Sequence, residues 1–202
     1  MRSIFFAALL MACFFDSKAQ TYRDSIILHR QHYKEEFVTE ERSPLKGNDT
    51  AYLRFFAPDE RFKVNAELTL TPDAKEFDMP THSGKKKLYR QYGLLTFRLK
   101  NKTCSLQVFQ SQALLKDPKY KDHLFVPFTD LTTYEETYGG GRYIDLSLKD
   151  INNGKIAIDF NKAYNPYCAY ADGFNCPIPP RENRLPVSIK AGEKLFGKGT
   201  EH

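Results

Sequence analysis

The sequence predicts a mainly β protein of the α+β class: one N-terminal amphipathic helix followed by an antiparallel β-barrel or sandwich. Two observations carry that expectation. The hydrophobic period changes from near 3.6 to 2 past residue 60, and short polar stretches separate the alternating segments in hairpin-like pairs.

The chain opens MRSIFFAALLMACFFDSKAQ, which reads as a secretory leader. Arg2 supplies the positive start, Ile4 to Phe15 an unbroken apolar run, and Ser17-Lys18-Ala19 a small-x-small cleavage pattern. Twelve apolar residues are too few to span a bilayer, which needs roughly 20. The leader is therefore expected to be cleaved, leaving a periplasmic or secreted chain. Leu10-Met11-Ala12-Cys13 offers a second reading, a lipoprotein anchored at Cys13. The apolar run continues through Phe14 and Phe15, where a mature lipoprotein turns polar, so cleavage after Ala19 is preferred.

The division that follows is a leader over 1–19, a helix over 20–42 and an antiparallel β domain over 43–202. Thr21 with Asp24 resembles a capping box, and Ile26, Ile27, Arg30, Tyr33 and Phe37 recur at helical spacing. Ser43-Pro44 ends the helix, because the residue before a proline avoids helical angles. Phe62, Val64, Ala66, Leu68 and Leu70 then alternate with polar residues, as a strand with one buried face does. Leu95, Phe97 and Leu99 pair with Cys104, Leu106 and Val108 through Lys100-Asn101-Lys102-Thr103. A further hairpin is expected from Ile144, Leu146 and Leu148 to Ile156, Ile158 and Phe160, turning at Asn152-Asn153-Gly154. Leu185 to Lys190 gives a late strand.

Charge narrows the partner classes. The chain carries 30 Lys+Arg against 25 Asp+Glu, a formal charge of +5 that falls to +4 on loss of Arg2, Asp16 and Lys18. The excess is scattered, and its one run, Lys85-Lys86-Lys87 beside Gly84, reads as a solvated turn, so no nucleic-acid track is expected. His29 and His32 stand three apart rather than at the four-residue spacing of a helical zinc pair, while His82 and His123 are isolated in loop-like contexts. Surface histidines are the simpler reading, and no metal site is expected. No cofactor is indicated.

Two segments carry a family resemblance. PFTDLTTYEETYGGGRYIDL (127–146) and IDFNKAYNPYCAYADGFNCPIPPRENRLPVSIKAGEK (158–194) resemble the bacterial family catalogued as domain of unknown function 1684, as do Ser43-Pro44-Leu45 and the segment 89–99. The resemblance implies a domain type and no established activity. It marks as defining Glu136, Gly139, Gly141, Arg142, Tyr143, Asp145, Asp159, Asn161, Tyr164, Asn165, Cys168, Tyr170, Cys176, Asn183, Gly192 and Glu193.

These motifs suggest where chemistry could sit. Gly139-Gly140-Gly141-Arg142 can form a nest of N–H groups beside a guanidinium, suited to a carboxylate or phosphate. It lacks the Gly-Lys-Ser/Thr ending of a nucleotide loop. The plainer alternative is a tight turn with Arg142 paired to Glu136 or Asp145. Asp159, Asn161, Tyr164, Asn165, Tyr170, Asn183 and Glu193 either line a cavity on a curled sheet or tie an irregular loop to it. Cys168 and Cys176 bracket that loop. A disulfide closing it would contribute roughly 2–3 kcal/mol if unstrained. A reactive thiol would want a base, and no histidine follows His123 except His202. Cys104 shares the apolar face of Leu106 and Val108 and reads as a small buried residue.

Three functions compete on this reading. The first is an exported module binding a small polar or anionic molecule near the Gly-rich turn and the Cys loop, through Glu136, Gly139, Gly141, Arg142, Asn161, Tyr164, Asn165, Tyr170 and Asn183. The second is a carboxylate-dependent hydrolase using Glu136 with Glu193 or Asp159. The third is a structural domain of the cell envelope.

Overall fold

The computed structural model describes the backbone of residues 4–198 and the side chains of residues 20–198. Arg2 and the side chain of Cys13, on which the leader and lipoprotein readings partly rest, lie outside the described residues. Helix α1 spans Ile4–Thr39, so Thr21 is an interior residue and not a cap. The helix ends at Thr39, four residues before Ser43. No helix among the described residues is long and apolar enough to cross a membrane.

Seven strands follow: β1 (Lys63–Leu70), β2 (Glu76–Pro80), β3 (Lys86–Leu99), β4 (Lys102–Ser111), β5 (His123–Phe128), β6 (Arg142–Ser147) and β7 (Lys155–Asp159). They form one antiparallel sheet, curled into a half-barrel, in the order β6-β5-β4-β3-β1-β7 with β2 added on β3. The β3–β4 hairpin forms where the polar tetrapeptide placed it. Lys100 and Asn101 take φ of 49° and 62°, a twist that matches the right-handed strands.

Four expectations need correction. The turn at Asn152–Gly154 exists, with Asn153 and Gly154 at positive φ, but β6 and β7 do not pair across it. Ser147 and Asp150 build a capping box around the short 3₁₀ turn Leu148–Asp150, which ends β6 and sends the chain to the other side of the sheet. The segment from Leu185 to Lys190 is no strand either. Leu185, Val187 and Ile189 are buried alternately, yet Pro186 has no N–H. The segment's backbone bonds instead to Thr129, Leu131, the Asp130 carboxylate and Arg142. Finally, His123 opens β5 rather than lying in a loop, and Lys86 and Lys87 open β3.

The largest core cluster fills the half-barrel's concave side, from Phe62, Ala66, Leu95 and Phe97 to Phe128, Ile158 and Phe160, closed over by Leu185, Val187, Ile189 and Ala191. A second cluster joins Phe37 of α1 to Leu45, Leu53, Ala169 and Tyr170. Burying such side chains is worth about 1.5–3 kcal/mol each, which seats the helix on the chain after β7.

Candidate functional site

Two polar pins hold α1 against the chain that leaves β7. At one, the Tyr22 hydroxyl donates to Asp159 Oδ1 at 2.9 Å, and Asn161 Nδ2 donates to the Tyr22 oxygen at 2.8 Å. Asn161, 1% exposed, also donates to the Asp59 carbonyl and accepts the Asp59 N–H. At the other, Tyr33 donates to Glu193 Oε2 at 3.1 Å. Between the pins the helix stands off, leaving a cleft of about 300 Å³ with His29, Arg30 and Phe55 on one side and Asp145, Lys162 and Tyr164 on the other.

Glu193 organises the floor beneath this cleft. It is fully buried and accepts three hydrogen bonds: from Tyr170 at 2.6 Å, from the Asn165 N–H at 2.9 Å and from Tyr33. Burial pushes its pKa up to about 7, against the opposing pull of those donors. Gly192 makes the position attainable. Its φ is +75°, and a Cβ there would lie 2.6 Å from the carbonyl oxygens of Phe160 and Ala163.

Arg30 is the feature that sequence reasoning missed. It sits on the stripe of Ile26, Tyr33 and Phe37, and its guanidinium rests on the Phe55 ring, 4.7 Å from the centroid. Its Nε and Nη2 are shielded from solvent and have no hydrogen-bond partner among the described residues. Burial pulls its pKa down to about 10. His29 and Lys162 add two more basic groups, and loss of water, then Lys162, lowers the His29 pKa. Of the two acids, Glu36 lies on the helix, while Asp145 is already engaged with Tyr164 at 2.8 Å and His123 at 2.9 Å. A cation on an apolar helical stripe was the available signal.

The Gly-rich turn and its arginine lie elsewhere in the structure. Gly141 has φ of +84°, so the turn forms, but Arg142 is 1% exposed and points into the core. It pairs with Asp130 at 2.8 Å and donates to the carbonyls of Ile189, Ala191 and Glu193, above the Phe128 ring. Its carboxylate partner is thus neither Glu136 nor Asp145, and no face of it is open to an anion. Glu136 pairs with Lys190 at 2.8 Å. Asn183 is buried on the Gln107 backbone and the Pro127 carbonyl, and Asn165 donates to the Lys194 carbonyl.

The candidate residues therefore divide. Asn161 and Tyr164 line the cleft, and Tyr33 connects it to Tyr170, Asn165 and Glu193. Gly139, Gly141, Arg142 and Asn183 organise the fold instead. None of Glu136, Asp159 and Glu193 lines the cleft, so no two of them face each other across it. Among the described residues, no three His, Cys, Asp or Glu side chains gather closely enough to hold a metal. Cys168 and Cys176 are joined in a disulfide, and Cys104 is a buried free thiol.

Residues 49–194 match the model of a family described as protein of unknown function (DUF1684). The chain is also similar to an uncharacterized protein from gene locus rrnAC0354 of Haloarcula marismortui, whose structure was determined by solution NMR. The TM-score is 0.67 at 30% sequence identity, over 93% of this chain and 100% of that one. No curated protein matches. Asp145, Asn161, Tyr164 and Glu193 fall within the family match, whereas Arg30 and Tyr33 precede it.

Proposed function

The chain belongs to the DUF1684 family, and we propose that it binds a small anionic molecule in the cleft between α1 and residues 161–164. One observation carries this reading: Arg30 presents two buried N–H groups with no partner. Leaving such donors unpaired costs about 1–3 kcal/mol or more for a charged group, a cost that a bound carboxylate or phosphate would remove. Lys162 and His29 would share the charge, and Phe55 and Tyr164 would cover the apolar part. The proposed cleft is bordered by Tyr167 of the Cys loop and includes no residue of the Gly-rich turn.

The test is titration of the protein with inorganic phosphate and with acetate, followed by heteronuclear NMR. Saturable shifts at Arg30, Lys162 and Tyr164 that vanish in Arg30→Gln support the reading. Shifts that persist in that variant, or no saturable shifts, overturn it.

Acid–base catalysis is a second reading, favoured by the placement of Glu193. The group is poised near neutrality and reaches the cleft through the Tyr33 hydroxyl, a route by which a proton could pass. Hydrolysis of a carboxylic ester that is lost in both Glu193→Gln and Tyr33→Phe, with binding retained, would support it. Export is part of the same proposal. The leader pattern and the Cys168–Cys176 disulfide both support an oxidising destination, and the mass of the mature chain would test cleavage after Ala19.

A further inference from the structure

A second cleft, of about 390 Å³, opens on the far side of Tyr164, between the β3–β5–β6 surface and the disulfide loop. It shares Asp145, Tyr164 and Tyr167 with the first cleft and has different chemistry. Six aromatic rings border it: Tyr89, Phe125, Tyr143, Tyr164, Tyr167 and Phe174. Four of them form a connected series and the other two a pair. Tyr89 stacks on Phe125 at 5.6 Å, Phe125 meets Tyr143 edge-on at 4.8 Å, and Tyr143 meets Tyr164 edge-on at 5.8 Å. Tyr167 and Phe174 meet edge-on at 5.2 Å on the loop side.

The polar groups are few and differ in kind. Lys87 is the cleft's one lysine or arginine, and it has no carboxylate partner among the described residues. Loss of water around its ammonium lowers its pKa, as expected for a cation without a counter-charge. Asp145, the cleft's one acid, is bound on both oxygens, by Tyr164 and by His123. His123 Nδ1 is shielded and unpartnered.

We propose that this second cleft binds a planar aromatic molecule bearing an anionic group. The rings supply faces and edges for stacked or edge-on contact with a flat ligand, a geometry in which aromatic pairs gain beyond simple area burial. Lys87 supplies the counter-charge, and His123 offers one ring nitrogen to a polar substituent while Asp145 holds the other. A cleft of this volume fits a ligand of one or two fused rings, in the lower part of the range for small-molecule sites. The inference does not depend on the first cleft, whose cations are Arg30 and Lys162.

Naphthoate is the probe, with cyclohexanecarboxylate and naphthalene methanol as comparisons, each titrated by NMR into the oxidised protein. Naphthoate should bind saturably, with shifts at Lys87, His123 and Phe174. Affinity should fall about tenfold in Lys87→Gln, which removes the ammonium at the cleft without touching the core. Phe174→Ala, on the loop, should also weaken naphthoate. The inference is overturned if cyclohexanecarboxylate binds as tightly, if naphthalene methanol does, or if no saturable binding is seen. It is also overturned if Arg30→Gln abolishes naphthoate binding, because the ligand then sits in the first cleft.

Discussion

The Tyr33 hydroxyl lies 3.1 Å from Glu193 Oε2, joining the N-terminal helix to a carboxylate 160 residues later in the chain. The bond is the hinge of the candidate site. It fastens α1 at one end of the cleft and brings a buried acid within one hydroxyl of it.

Removal of that hydroxyl is therefore a stability experiment. Tyr33→Phe leaves Glu193 with two donors instead of three and deprives the Tyr170 oxygen of its neighbour at 3.1 Å. The expected loss is about 1–3 kcal/mol in urea-induced unfolding. An unchanged midpoint would mean that the bond contributes nothing net.

Glu193 also predicts a pH dependence of definite sign. Its folded pKa, about 7, stands above the ordinary 4.5, so between those values the folded chain holds more protons than the unfolded one. Stability from this group is thus complete below pH 4.5 and declines as pH rises through 7, by roughly 3 kcal/mol over the window. Glu193→Gln should flatten that part of the profile, at the cost of one donor–donor conflict among its three partners. Thermal unfolding of both proteins across the window measures the difference.

Arg142 should be among the least replaceable residues of the chain. Its side chain is 1% exposed and Asp130's is fully buried, and removal of one member of such a pair costs about 3–5 kcal/mol. Arg142→Lys should be nearly as damaging as Arg142→Met, because an ammonium cannot serve Asp130 and three carbonyls from one position. A lysine variant of native stability would sink this account of the buried cluster.

The disulfide encloses a short loop. Replacement of Cys168 and Cys176 together by serine should cost about 2–3 kcal/mol and leave the sheet's circular-dichroism spectrum intact. In the oxidised chain lacking residues 1–19, and hence Cys13, a thiol reagent should find no reactive group, since Cys104 is buried and burial raises its pKa. A rapidly titrating thiol would show that the bridge is open.

Much of this fold could be read from period and turn chemistry. Phe62 to Leu70 and the Lys100–Thr103 turn announced β1 and the β3–β4 hairpin, because local alternation and positive φ are properties of short segments. The partner of β7 was not legible. Asn153-Gly154 encodes a reversal, and nothing local says that the strands on either side join different neighbours. Leu185 to Ile189 shows the converse: its alternation is real and records burial, while its hydrogen bonds go to side chains and loops instead of a ladder. The site divides in the same way. Asn161 and Tyr164 stood in a motif dense with polar groups. Arg142 looked like an anion anchor because sequence spacing cannot show which way a guanidinium faces, and its partner Asp130 lay twelve residues away without any pattern linking them.

The partners of Arg142 tie completion of the core to a segment that follows the last strand. β1 to β7 comprise residues up to 159, whereas Ile189, Ala191 and Glu193 supply the carbonyls that accept from the guanidinium's Nη1 and Nη2. Without that segment Arg142 would keep only Asp130 as partner beside Phe128, and the core face covered by Leu185, Val187, Ile189 and Ala191 would be open to water. Closure of the core by residues 185–191 and seating of Glu193 beneath α1 are thus coupled, so the first cleft takes its shape only when the segment after β7 has closed over the sheet.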